Sequence, residues 1–237
     1  MRESGGSSRE FGVNTIPNKD RYRIELDRKW KLEELNQYSR NYEQAYFAFF
    51  AVLSLAPSSP FDPGYAVRVS NDLARYPWNG GASVVSFYSD LRNTQGRKLK
   101  PDVAQIQYAS PGFLDLILVP EIAKSVAGAV AAICPSLLLI NKTYNDIYKG
   151  MRDRKLNEID VARANLQLAA EQRAFLKDCA QDLGVRLGIQ NVDQIVEASG
   201  NELRGLKVIL SIYRRLRVLA RYQNEGKAKL TEADEGR

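Results

Sequence analysis

DVAQIQYASPGFLDLILV, residues 102–119, is the stretch on which the fold class turns. Ile106 and Tyr108 alternate with Gln105 and Gln107, Ser110-Pro111-Gly112 carries turn chemistry, and Phe113 to Val119 returns as an apolar strand. The pattern predicts a β-hairpin. A type II Pro-Gly turn does not match the twist of a tight two-residue hairpin, so the connection is expected to be longer or bulged. Upstream, RYRIELD at 21–27 sets Tyr22, Ile24 and Leu26 against Arg21, Arg23, Glu25 and Asp27, the period-2 pattern of a half-buried strand. Strand and hairpin together make a three-stranded sheet, about the minimum that is stable beside a helix.

Helical spacing fills most of what remains. From Lys29 to Leu55, the residues Leu35, Tyr38, Tyr42, Ala45, Phe49 and Leu53 step by three or four and share one helix face. The same helix carries Tyr38, Tyr42, Tyr46, Phe47, Phe49 and Phe50, too many aromatics for one stripe, so it is expected to meet neighbours on two sides. A base-stacking platform would need interleaved cations, and only Arg40 is close. Residues 57–81, with four prolines and three glycines, read as a long irregular connection broken by a helical turn near Asp72–Arg75. A short helix follows over 82–92, burying Val84, Val85 and Phe87, and GRKLK at 96–100 reads as an exposed basic turn.

After Pro120 the chain reads as helical almost to its end. One helix is expected from Glu121 towards Asn157, kinked at Pro135. A second runs from Ile159 to a stop at Gly184, a short one spans Val192–Ala198, and Asn201 caps a last helix from Glu202 to about Tyr222. The chain is therefore expected to be α+β and helix-rich. A unit over 20–119 holds the small antiparallel sheet and the long N-terminal helix, and an α-helical unit covers 120–223. Residues 1–19 and 224–237 are expected to be tails.

The 237 residues contain no His, which removes Ser-His-Asp and Cys-His nucleophile pairs, His-ligated zinc and imidazole acid–base chemistry. No GxxxxGK[ST], GxGxxG, GxSxG or HExxH motif occurs. Asp27-Arg28-Lys29 near Asp20 and Asp102 has the wrong element order for a nuclease centre, and Glu33 and Glu34 diverge on a helix. No catalytic residue, metal site or cofactor is expected. Cys134 and Cys179 make neither a disulfide framework nor a ligand pair, and residues 1–19 lack an apolar signal core, which together suggest a cytoplasmic protein.

Two segments stand out. Between Lys124 and Lys142 lie seventeen uncharged residues, SVAGAVAAICPSLLLIN, with Ala123, Ala127 and Ala131, and Gly128 with Ala132, at helical spacing. Such a small-residue face lets helices approach closely, in water or in a bilayer, and the run is just below the roughly twenty residues of a membrane span. The second segment is the last helix. From Arg204 to Lys229 eight basic residues face Glu225 alone, net +7, leaving 26 basic against 27 acidic residues elsewhere, net −1. Leu203, Leu206, Ile209, Leu210, Tyr213, Leu216 and Ala220 form its apolar side, with Arg204, Lys207, Arg214 and Arg221 opposite, flanked by Arg215 and Arg217.

The function expected from these features is a non-enzymatic interaction or oligomerisation protein. It would self-associate through the small-residue face and dock an anionic partner, whether acidic protein, anionic lipid or nucleic acid, on the basic helix. Its first rival is a pore-forming or effector-like protein that inserts 124–142 into a membrane while the basic helix holds anionic headgroups. A second is a nucleic-acid binder using Arg204 to Arg221.

Overall fold

The computed structural model describes residues 18–76, 78 and 81–230. The expected 1–19 and 224–237 tails thus lie mostly outside the described residues. The strand read at 21–27 is β1, Asp20–Leu26, and the hairpin is β2, Asp102–Gln107, with β3, Gly112–Leu118. Residues 108–111 connect them, with a cis Ser110–Pro111 bond, and the register shifts between Val103 and Gln105. The irregularity thus falls inside β2, while the turn itself is simply long.

The sheet has a fourth strand that the sequence does not announce. After the last helix, Gly226 takes a positive φ of 67°, and Ala228–Leu230 forms β4, antiparallel to β1 with Ile24 opposite Leu230. The strand order is β2-β3-β1-β4. Part of the stretch expected to be a charged tail is therefore sheet edge.

The long aromatic helix is α1, Leu32–Ser54, and all six of its aromatic side chains are buried. Residues 57–81, expected to be irregular, hold a full helix instead: α2, Pro63–Arg75. Asp62 caps it, its carboxylate accepting from the Gly64 N–H at 2.7 Å, and Pro63 takes the first helical position, where a missing N–H costs nothing. Proline was a start signal here, not a breaker. Next come α3, Gly81–Thr94, in which Phe87, Tyr88 and Leu91 are buried while Val85 is exposed, and the single turn α4, Gly96–Leu99. Leu99 is buried, so GRKLK is not a free basic turn, and its carbonyl accepts from the Tyr46 hydroxyl at 2.9 Å.

The single helix expected over 121–157 is two: α5, Pro120–Ile133, and α6, Leu137–Asp153, joined by a 3-10 turn at Cys134–Ser136. Short turns follow, with α7, Ala164–Gln167, and then α8, Ala170–Arg186, which continues through the expected stop at Gly184. Gly184 serves close packing: a Cβ there would lie 2.3 Å from Val192 Cγ2. The helix ends at Arg186, with Leu187 as its C-cap and Gly188 just beyond it at a φ of 72°. Helix α9 is Val192–Ser199 and α10 is Glu202–Asn224, capped by the Asn201 side chain as expected.

Helix α10 is the axis of the molecule. It packs against α1, α5, α8 and α9, and most of its residues are buried. One apolar core runs from β1 through α1 and α5 to α10 and β4, so the 20–119 and 120–223 portions share their interior.

Candidate functional site

Because α10 is surrounded, its basic residues divide by direction. Arg204 is buried, and its Nη1 donates to the Ser199 carbonyl at 2.7 Å. Lys207 turns inward, with Nζ donating to the Trp78 carbonyl at 3.4 Å. Arg215 lies 4.3 Å over the Tyr88 ring, donates to Gln44 Oε1 at 2.9 Å and to the Ser211 carbonyl at 3.1 Å. Burial lowers the pKa of all three, since desolvation penalises the charged form. These three sites hold helices together and offer little to a partner.

Arg214, Arg217 and Arg221 point the other way. Arg214 is half-buried, while Arg217 and Arg221 are exposed. Arg217 reaches Asn141 Oδ1 at 3.5 Å on α6 and lies 5.9 Å over the Tyr144 ring. Arg221 donates to Gln37 Oε1 at 3.0 Å on α1 and meets Glu225 at 3.8 Å. The exposed Arg40 on α1 is close enough to act electrostatically on Arg215. The outward side of α10 is thus a basic strip between α1 and α6.

The small-residue stripe also splits. Ala123 and Ala127 are buried, while Gly128, Ala131 and Ala132 face outward. A Cβ on Gly128 would meet nothing within 4 Å, so packing inside the chain does not demand glycine there. Gly128 borders a cleft of about 620 Å³ walled by Phe49, Val52, Pro57, Ile189 and Gln194.

The two sequence-derived segments meet where α5 ends. Pro135 has no N–H to continue the helical ladder, and the chain breaks at Cys134–Ser136. The elbow is tied to α10: Asn224 Nδ2 donates to the Cys134 carbonyl at 2.9 Å, and the Tyr213 hydroxyl donates to Asn141 Oδ1 at 2.7 Å. Burial pushes the Tyr213 hydroxyl up to about 12 and raises the Cys134 thiol as well, so both stay protonated at neutral pH. Just past the elbow, Leu138 is 87% exposed and Leu139 55% exposed. Lys142 follows one turn on and is exposed. The result is an apolar knob beside a basic strip.

Sequence reasoning singled out the run 124–142 but not these leucines. The usable signal was the buried stripe of α6, Ile140, Ile147 and Met151, which at 100° per residue puts Leu138 on the far side. A second feature went unseen: an apolar groove of about 470 Å³ between β2 and α1, with Val103, Ile106, Leu35 and Leu116 among its walls and Arg40 at its rim. Among the described residues no group of three or more Cys, Asp or Glu is placed to hold a metal ion. No protein-family model, curated protein or solved structure matches the chain.

Proposed function

We propose that the protein is a non-enzymatic interaction protein that docks an anionic partner on the α5–α6 elbow and the outward strip of α10. The observation that carries this reading is that exposed Leu138 and Leu139 stand just before Asn141, which exposed Arg217 reaches at 3.5 Å, while Asn224, one turn beyond exposed Arg221 on α10, holds the Cys134 carbonyl of the elbow. An exposed apolar knob on a soluble fold marks a contact surface, and neighbouring cations select a partner of opposite charge. Arg204, Lys207 and Arg215 drop out of the docking set, because the fold uses them internally. Self-association belongs to the same reading through Gly128, Ala131 and Ala132, which face outward on α5.

Titration of labelled polyglutamate with the full chain tests it. Binding that weakens at least tenfold in Arg217→Glu/Arg221→Glu, with circular dichroism unchanged, is expected. Affinity equal to the wild type overturns it.

A membrane-inserting reading has one observation of its own. The stretch Pro120–Asp153 is long and apolar enough, by length and composition, to cross a membrane. Against insertion stand the buried face of α5 and the break at Pro135, since unpairing the core costs what a bilayer would have to return. The nucleic-acid reading loses half of its phosphate ligands to the interior.

A further inference from the structure

Resting on the elbow reading, we infer that the anionic partner is a lipid surface, on which the protein sits peripherally with Leu138 and Leu139 dipping into the acyl boundary. Leu138 and Leu139 project from the start of α6 without neighbours to cover them, at 87% and 55% exposure. They sit beside Pro135, Ala131 and Ala132, also exposed, so the tip of the elbow is an uncharged apolar surface. Arg217 reaches Asn141, one turn after Leu138, at 3.5 Å, exposed Lys142 is the next residue of α6, and exposed Arg221 lies one turn further along α10. Glu225 answers Arg221 at 3.8 Å, and Asp146 is the exposed acid nearest in sequence on α6. An apolar tip flanked by long cationic side chains matches a bilayer interface: leucines enter the acyl boundary while Arg and Lys hold headgroup phosphates.

An acidic protein is the less favoured occupant. It would require a complementary apolar pocket to cover Leu138 and Leu139, which stand 87% and 55% exposed. A bilayer deforms around a knob and needs no such pocket. Peripheral attachment is also what the fold allows without unfolding, because the side chains involved are already exposed and the buried face of α5 stays in the core.

The test is flotation of the full chain with vesicles of phosphatidylcholine alone and with phosphatidylserine added, at low and high salt, alongside the polyglutamate titration. Each interfacial cation is worth about fivefold in partitioning, so Arg217→Glu/Arg221→Glu should lower flotation by about 25-fold or more. Leu138→Ser/Leu139→Ser should lower it by about tenfold or more. All four side chains are exposed, so both variants should keep the wild-type circular dichroism spectrum, with only a small drop in melting temperature in the arginine variant from the lost Arg221–Gln37 hydrogen bond. Flotation that needs phosphatidylserine, fades in salt and falls in both variants supports the inference. Salt-resistant flotation with neutral vesicles overturns it in favour of insertion. Polyglutamate binding without flotation overturns the lipid inference and leaves the elbow reading standing. Loss of both removes both.

Discussion

Asp115 faces away from Leu114 and Leu116, on the side of the sheet opposite the core, yet its carboxylate is fully buried, with Arg21 and Arg23 closing over it. Arg23 donates twice, at 2.7 and 2.8 Å, and also stacks 3.9 Å over the Phe113 ring. Those hydrogen bonds hold the Asp115 carboxyl below its usual range. A depressed carboxyl binds protons more weakly folded than unfolded, so the pair stabilises the fold fully above the unfolded pKa, about 4, and loses that contribution as pH falls through the lower folded value. Thermal melts taken from neutral to strongly acid pH should show a steep acid limb in the wild type. In Asp115→Asn the melting temperature should start lower and the limb should be shallower; parallel curves would mean that the pair does not control acid stability. Asn201 is a second residue with two tasks. Its Oδ1 accepts from the Arg204 N–H at 2.9 Å to cap α10, and its Nδ2 donates to the Val161 carbonyl at 3.0 Å. Asn201→Ala should cost about 1–2 kcal/mol, roughly 2–8 °C in melting temperature for a chain of this size. Asn201→Ser keeps an accepting oxygen and should fall between.

At the scale of the element, glycines set how closely helices approach, and sequence alone misread one of them. Gly184 lies within α8 because α9 crosses over it, and Gly205 does the same on α10, where a Cβ would sit 2.8 Å from Val196 Cγ2. Gly184→Ala should destabilise by about 1–3 kcal/mol through overpacking against Val192, and Val192→Ala should restore part of the loss. Additive melting shifts in the double variant would show that the two do not meet. Gly128 makes the opposite case: nothing lies near its Cβ position, so Gly128→Leu should leave the melt intact and report on assembly alone. An unchanged sedimentation mass in that variant would remove α5 from any self-contact. The same contrast explains what could be read beforehand. Period-2 and period-3.6 patterns placed β1, the hairpin and α9 within a residue or so, α10 within two and α1 within three. Breakers were harder: Pro63 opens α2, Pro135 ends α5, and Gly184 does neither, because a proline's role depends on which side of it the ladder runs and a glycine's on what crosses it. The candidate site was half legible. Composition marked Arg204 to Arg221 and the run 124–142, but a helical wheel assumes one buried side, and α10 is buried on several.

For the molecule as a whole, the sheet and the helices share one packed core. Strand β4 comes after α10 yet pairs with β1, Trp30 stacks on Tyr222 at 5.1 Å, and Lys227 Nζ meets Glu34 Oε1 at 2.6 Å. Deeper in, Asn191 Nδ2 donates to the Val52 carbonyl at 2.7 Å, and at the surface Gln37 accepts from both Arg221 and the Tyr222 hydroxyl. Every one of these ties crosses residue 120, where the change from sheet to helix in the sequence suggests a boundary. Removing residues 18–119 would strip α1 and the sheet from α10, exposing apolar surface along its length, and a fragment gains nothing to offset that loss. The full chain should therefore unfold in a single transition by circular dichroism and by tryptophan fluorescence, with coincident midpoints. Residues 120–230 alone should give a broad, non-cooperative melt and poorly dispersed amide resonances. A sharp melt from that fragment would show a self-sufficient helical unit to which the sheet is merely attached. The elbow and its arginines could then be tested for vesicle binding without the sheet. If instead the fragment fails to fold, surface attachment depends on α1 and β4 holding α10 in place, because Arg217 and Arg221 face outward only while the rest of that helix is enclosed.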